Sequence, residues 1–148
     1  MDPEGECQMH DHNYYRTLIA VADDCPAEHS VVPEDKKRGG KTPIATIHYE
    51  MLAGHSYEHT QEDVLFATWL LRQDEQPTSE AEIAALRAQF FAEPKPCLRT
   101  SPLAKKYGWG FAFDEEGRVE LLPMESAKYK RLLEDDEVAV LKAMKTKR

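Results

Sequence analysis

Apolar residues recur along this chain in blocks whose spacing changes between the strand period and the helix period. The run of β-forming residues at Tyr15–Ala22, which follows Asn13, predicts a strand that is buried on at least one face. The next segment, Cys25–Gly40, contains two prolines and an adjacent pair of glycines, so it predicts a long loop. Loops of that length are uncommon in compact domains and often carry function.

The middle of the chain contains three helix patterns, of which the first two have clear start signals. The first begins with Thr42 as the N-cap and Pro43 at the first helical position, and it ends at Gly54. The second begins at the cap Thr60, and its stretch Val64–Leu71 is apolar nearly all round, which predicts a central and buried helix.

A third helix is predicted between the capping box formed by Ser79 with Glu82 and the helix-breaking Pro94. Its apolar positions follow the helical period, so we expect them to face the core. These positions are Ile83, Leu86 and Phe90.

The last third of the chain opens with a change to strand periodicity. Apolar residues alternate along Trp109–Phe113 and again along Val119–Leu121, and the turn at Asp114–Gly117 separates them, so a β-hairpin is predicted. Two closing helices are predicted at Ser126–Leu133 and Asp135–Lys145. The order of one strand, three helices, a hairpin and two helices defines an α+β fold.

The length of 148 residues suits one domain. We expect residues 1–12 to form a flexible leader and residues 13–148 to form a single α+β domain with a basic C-terminal tail. The longest mostly apolar stretch, Val64–Leu71, is too short to span a membrane, and Met1–Gln8 has no apolar core for a secretory signal. Three cysteines without CxxC spacing form no disulfide framework or zinc finger, so we expect a cytoplasmic location, with Cys97 as a plain buried thiol.

The net charge of −8 comes from 27 acidic and 19 basic side chains, but the two signs are unevenly distributed. Three segments with a net charge of +4 each, here called the basic islands, are Lys36–Thr42, Pro94–Tyr107 and Val138–Arg148. The acidic background argues against non-specific nucleic-acid binding, which needs a broad positive field. It is compatible with a small anion held where two islands meet.

The second island carries the densest set of groups that can bind an anion. Arg99 can clamp a carboxylate or phosphate through two hydrogen bonds, and Tyr107 or Trp109 can stack on a planar group. Lys41 can contribute from the first island, because it follows two glycines at a helix start. The competing interpretation is structural, with Ser101 capping a short helical turn and Trp109 in the core. The candidate ligand-binding residues are Lys41, Arg99, Ser101, Lys105, Lys106, Tyr107 and Trp109.

All six histidines lie at or before residue 59, and His55–His59 matches the HxxEH motif of inverted zinc peptidases. That chemistry needs both histidines on one helical turn, whereas this match falls between a helix stop and a helix cap. We therefore predict no metal and no cofactor. Two alternatives to anion binding stay open: a metal-dependent hydrolase built on His48, His55 and His59, or a protein-interaction adaptor that uses the Cys25–Gly40 loop or the basic tail. Whether the protein is an enzyme, and whether it forms homo-oligomers, is left undecided.

The segment Ser101–Gly110 reads SPLAKKYGWG and resembles the most specific motif of an uncharacterised microbial family, domain-of-unknown-function family 6157. Shorter segments that match the same family in the same order are Asn13–Tyr15, Ala22–Pro26, Tyr49–Leu52 and Asp63–Phe66. The resemblance spans residues 13–148 and implies no established activity, so no catalytic residue is carried over. The chain departs from the family at His59, where an aromatic residue is common, which weakens HxxEH as a shared device.

Overall fold

The computed structural model of this protein describes residues 13–34 and 40–146. Within those ranges, five strands form one mixed sheet and five α-helices pack around it, so the α+β class is confirmed. The predicted leader, residues 1–12, lies outside the described residues. No helix in the described ranges is long and apolar enough to cross a membrane.

The sheet places the N-terminal strand between elements that are distant in sequence. Its order is β2-β4-β3-β1-β5, and all neighbours are antiparallel except β1 and β5, which run parallel. The predicted hairpin is confirmed as β3–β4, with Phe111 opposite Leu121. The strands are β1 (Thr17–Ala20), β2 (His59–Thr60), β3 (Trp109–Phe113), β4 (Arg118–Pro123) and β5 (Ala139–Lys142).

The helices largely follow the predicted start signals. Thr60 accepts a hydrogen bond from the Asp63 amide, and the Asp63 carboxylate accepts one from the Thr60 amide, which forms a complete capping box. The first helix starts one residue later than predicted, because Pro43 occupies the N-cap and has no side chain to cap with. The helices are α1 (Ile44–Leu52), α2 (Gln61–Leu71), α3 (Glu80–Phe90), α4 (Pro102–Lys106) and α5 (Ala127–Leu133); a 3₁₀ helix covers Leu98–Thr100.

The predicted helix at Asp135–Lys145 is wrong, because this segment contains the strand β5. Backbone amides of Ala139 and Ala143 donate to carbonyls at the two ends of β1, and residues 139–142 pair in register with residues 17–20. The helical period of the segment is weak, and an open strand edge elsewhere in the fold offers these backbone groups partners. Tertiary pairing therefore overrides the local pattern.

Two helices are less buried than their patterns predict. Four of the eleven residues of α2 are buried, on two sides of the helix, and Leu71 at its end is 63% exposed. Helix α3 has no buried residue, and Ile83 of its apolar stripe is 38% exposed. Helix α3 lies at the margin of the domain, where the ring of Phe90 meets Phe66 of α2 rather than the sheet.

The sheet is covered on both faces, and the strand alternation divides the core into two layers. Trp109, Phe111 and Phe113 face a large cluster with residues of α1, α2 and α4. The second layer packs the opposite face of the sheet against Tyr129 of α5 and consists of Leu18, Ala20, Ala112, Leu122 and Tyr129. Helices α1 and α2 are therefore positioned by the sheet, and the cavity described below lies along them.

Candidate functional site

A cavity of about 340 Å³ opens between α1, α2, the end of α3 and the segment 95–100. Its position follows from the fold, because α1 and α2 pack side by side over one face of the sheet while α3 is barely buried beyond them. The volume lies in the range typical of small-molecule pockets. The chemistry of its walls decides what it can hold.

Three cations line this cavity: Lys41, Arg72 and Lys95. No acidic side chain lines it among the described residues. The Nε atom of Arg72 is buried and has no hydrogen-bond partner in the described part of the chain. A buried N–H without a partner costs free energy, and the cost is larger when the group is charged. An anion placed at Arg72 would remove that cost.

Aromatic side chains form one wall of the cavity. Trp69 and Phe90 both line it, with their ring centroids 5.4 Å apart, and the Nζ of Lys95 lies 4.3 Å from the Phe90 centroid. Leu65 and Ile44 add aliphatic surface to the same lining. The cavity therefore combines a cationic rim with a flat apolar surface, which suits a ligand that has one charged end and one apolar end.

A buried histidine reaches the same cavity from α1. His48 lines it, and the Nδ1 of His48 lies 2.8 Å from the Oγ of Ser101, which is itself fully buried. Burial lowers the pKa of His48 from 6.5 to about 4, so the imidazole is uncharged at neutral pH. The Ser101 hydroxyl also caps α4 by accepting a hydrogen bond from the Leu103 amide.

The start of α1 adds a further favourable feature for an anion. Its N-cap, Pro43, supplies no side-chain hydrogen bond, and its first turn contains no acidic residue. Ile44, the first residue of α1, lines the cavity next to Lys41. The positive end of the helix dipole therefore borders this cavity, and it also borders the wider cavity that Pro43, Ile44 and Ala45 line.

The structure brings only part of the predicted site together. Lys41 lines the cavity, and Ser101 reaches it through His48. Lys106 and Tyr107 line a different and wider cavity of about 650 Å³, which is bordered by the loop at residues 31–34 and by the starts of α1 and α4. Lys105 lies in the last turn of α4, outside both linings.

Arg99 and Trp109 have structural contacts, which the competing interpretation of the sequence predicted for Trp109 but not for Arg99. The Nε of Arg99 donates to the Lys142 carbonyl, and the Arg99 carbonyl accepts from the Met144 amide, each at 2.8 Å. Arg99 thus covers the outer edge of β5 near its end. Trp109 lies in the core, where its Nε1 donates to the Val31 carbonyl at 2.8 Å.

The glycines of the SPLAKKYGWG segment also have packing roles. Gly108 has a φ of +79°, and a Cβ there would lie 2.9 Å from the His29 carbonyl oxygen. A Cβ on Gly110 would lie 2.6 Å from the ring of Tyr129, which crosses the strand at this point. The segment is therefore required for close packing in the fold.

The histidines of the HxxEH match do not form a helical pair. His59 lies in β2, and His55 lies in the turn before it, where its Nδ1 is 3.2 Å from the Glu58 carboxylate. Their ring centroids are 6.5 Å apart. No group of three or more potential metal ligands occurs among the described residues, and His48 is hydrogen-bonded to Ser101 instead.

Arg72 and Lys95 are the cavity residues that sequence reasoning missed. Lys95 belongs to the second basic island but lies outside the SPLAKKYGWG segment, so it was not among the candidate residues. Arg72 is the single lysine or arginine between residues 43 and 86, and it follows directly after the apolar run of α2. A lone cation directly after the apolar run Val64–Leu71 is the signal that was available.

A second polar cluster, at the far edge of the sheet, serves as a contrast. Glu120 accepts hydrogen bonds from Ser56, Tyr57 and Lys128, at 2.9, 3.0 and 2.6 Å. Burial acts to raise the pKa of Glu120, but these three donors outweigh it and lower the pKa below its ordinary value. Tyr57 has a φ of 61°, which the cluster holds in place. The Glu120 carboxylate thus has three donors within the protein, whereas the Nε–H of Arg72 has no acceptor in the described part of the chain.

Among the described residues, these features define a class: a small α+β domain with a five-stranded mixed sheet and a cavity whose charged groups are all cationic. Within that class the chain belongs to a family described as "Family of unknown function (DUF6157)", whose model matches residues 9–148. The resemblance inferred from the sequence is thereby confirmed. No curated protein matches the chain, and no solved structure matches it.

Proposed function

We propose that this protein binds a small anionic ligand, bearing a carboxylate or phosphate group, in the cavity lined by Lys41, Arg72 and Lys95. The observation that carries the proposal is the buried Nε of Arg72, which has no partner in the described part of the chain and belongs to a side chain that lines a cavity of ligand size. A guanidinium suits this role, because its planar donors match a carboxylate or phosphate edge.

The distribution of charge supports the same proposal. Lys41 belongs to the first basic island and Lys95 to the second, and both line one cavity although the protein as a whole carries a charge of −8. Cations placed close together repel one another in the empty cavity, and a bound anion relieves that repulsion. Direct ligand contacts are assigned to Lys41, Arg72 and Lys95, and Ser101 acts through His48.

The cytoplasmic location stays a prediction. Cys97 is disulfide-bonded, so the expectation of a plain buried thiol at this position is wrong, while Cys25 is a free cysteine. A reducing compartment disfavours a persistent disulfide. The redox state of Cys97 in protein isolated from cells under alkylating conditions would test the location.

Trp69 provides a direct readout of occupancy, because it lines the cavity. We would titrate the protein with inorganic phosphate, acetate, phenyl phosphate and hydrocinnamate, and follow tryptophan fluorescence and melting temperature. The two probes with an aromatic ring are expected to give a saturable fluorescence change and a higher melting temperature at millimolar concentration. The Trp69→Phe variant is expected to lose the fluorescence change but keep the thermal shift.

Charge variants separate this site from non-specific attraction. Arg72→Gln is expected to weaken binding about tenfold or more, since it removes a charge-assisted hydrogen bond. The matched control is Arg131→Gln on α5, an exposed arginine on the opposite face of the sheet, which should leave binding unchanged. Absence of a saturable response to all four probes, or equal weakening in the two variants, would contradict the proposal.

A further inference from the structure

The hydrogen bond between His48 and Ser101 is not needed to bind an anion, yet it places an imidazole at the cavity. We propose that the ligand is an aromatic or otherwise apolar acid with a second, uncharged oxygen acceptor, which receives a hydrogen bond from the Nε2–H of His48. The inference rests on the proposed function and specifies the chemical class of ligand for the same site.

Hydrogen-bond accounting at Ser101 assigns the tautomer of His48. The Ser101 Oγ accepts from the Leu103 amide at 3.3 Å and lies 2.8 Å from the Nδ1 of His48. In the described structure, Nδ1 is the acceptor available to the hydroxyl proton of Ser101. The hydroxyl therefore donates to Nδ1, and the ring proton of the uncharged imidazole resides on Nε2.

The geometry then directs that proton toward the ligand. Nδ1 is occupied by Ser101, and His48 lines the cavity, so Nε2 is the ring nitrogen that remains to face it. Burial of the ring keeps it uncharged at neutral pH, so His48 acts as a neutral donor.

Two kinds of donor thus line one cavity. Arg72, with Lys41 and Lys95, supplies positive charge for an anionic group, whereas His48 supplies a fixed, uncharged N–H. A ketone, amide or hydroxyl oxygen matches the neutral donor, because it accepts a hydrogen bond without bringing further charge. The rings of Trp69 and Phe90 provide the apolar surface for the body of the ligand.

Pairs of probes that differ by one carbonyl oxygen test the inference directly. Phenylpyruvate is compared with hydrocinnamate, and β-benzoylpropionate with γ-phenylbutyrate, so that two spacings between carboxylate and carbonyl are sampled. In at least one pair the oxo acid is expected to bind about fivefold to tenfold more tightly, the gain from one neutral hydrogen bond. Benzyl methyl ketone, which lacks the carboxylate, is expected to bind much more weakly than phenylpyruvate.

Substitutions at His48 assign any such preference to this residue. His48→Leu should abolish the advantage of the oxo acid while leaving hydrocinnamate binding within about twofold. His48→Gln, whose amide can donate from a similar position, should retain part of the advantage. Ser101→Ala removes the group that sets the tautomer, and its expected effect is a smaller oxo-acid preference with an intact anion response.

A measurement on the unmodified protein guards against variants that fail to fold. Heteronuclear NMR of nitrogen-labelled protein reports which ring nitrogen of His48 carries the proton, and Nε2 is the expected one at neutral pH. Protonation on Nδ1 instead would overturn the inference whatever the variants show.

The outcomes separate this inference from the proposed function. If both members of each pair bind equally and lose affinity in Arg72→Gln, the anion site stands and the role of His48 is wrong. If no acid binds at all, the proposed function fails and the inference fails with it. A preference for an oxo acid that His48→Leu removes supports both.

Discussion

The two tryptophans of this protein lie in regions with opposite properties. Trp109 lies in the sheet core, where its indole N–H donates to Val31 and its ring meets Tyr49 edge to face at a centroid distance of 5.4 Å. Trp69 lies on α2, is partly exposed, and lines the cavity beside Arg72. The first region satisfies its polar groups internally, whereas the second leaves a buried charged N–H without a partner in the described structure.

The difference between the surroundings of Trp109 and Trp69 indicates which part of the molecule is available for a ligand. The SPLAKKYGWG segment is the most distinctive part of the sequence, yet its serine, glycines and tryptophan are occupied by capping, close packing and burial. The cavity residues come from less distinctive sequence. The distinctive motif of this fold therefore reflects the requirements of close packing. The candidate site is indicated instead by a buried polar atom without a hydrogen-bond partner in the described residues, the Nε of Arg72.

Truncation of each tryptophan gives the largest expected difference between the two regions. Trp109→Ala should lower the free energy of unfolding by about 3–5 kcal/mol, since it leaves a cavity in the core and removes a hydrogen bond. Trp69→Ala should cost about 1–2 kcal/mol, because its side chain is already partly in water. Urea denaturation of both variants measures this, and equal losses would contradict the division into two regions.

The pH dependence of stability tests the burial of His48. Its pKa is about 4 in the folded protein against 6.5 for an exposed histidine, so the unfolded chain binds the proton first as pH falls. Stability should therefore decrease from pH 6.5 down to about 4, by about 3 kcal/mol from this residue. His48→Gln is the reference that removes this contribution, and identical pH profiles for the two proteins would refute it.

The close approach of Tyr129 to Gly110 gives a smaller expected effect. Gly110→Ala should cost about 2 kcal/mol by overpacking, because the new Cβ meets a ring whose hydroxyl is held by the Val21 amide. In a Tyr129→Ala background the same change should cost much less. A double-mutant cycle measured by chemical denaturation checks this, and additive effects would show that the ring is not the obstacle.

Loss of a cavity cation gives the smallest expected effect on stability. Without ligand, Arg72→Gln should change the free energy of unfolding by less than about 0.5 kcal/mol, or increase it slightly, since the unpartnered charge is removed. A thermal melt in ligand-free buffer measures this. A large loss of stability would mean that Arg72 serves the fold, and the contrast between the two regions would lose its basis.

Much of the fold could be predicted because its signals are local. The capping box at Thr60, the serine caps at Ser79 and Ser126, and the alternation along Trp109–Phe113 each depend on neighbours within a few residues. The strand β5 could not be predicted, since its pairing with β1 joins residues more than a hundred positions apart. The same limit applies to β2, whose two residues pair with β4.

The sequence could predict that the candidate site contains cations suited to an anion, but not which side chains form it. The basic islands identified Lys41 as a cation that could bind an anion. Their pattern could not show that Lys95 lines the same cavity as Lys41 whereas Arg99 does not. Arg99 instead binds the backbone of the β5 strand at Lys142, a strand absent from the predicted fold. Assigning side chains to one cavity requires the path of the chain, which no local pattern contains.

The sequence by itself determined the α+β class, the helix caps, the hairpin and the resemblance to an uncharacterised family, because short-range periodicity and motif identity reside in neighbouring residues. Only the tertiary structure decided that Trp109 is core and Trp69 lines a cavity, and that Lys41, Arg72 and Lys95 share that cavity. It also decided that His48 is buried against Ser101. The physical reason is that burial and unmet hydrogen bonds arise from contacts between distant segments, and these exist only once the sheet has brought the helices together.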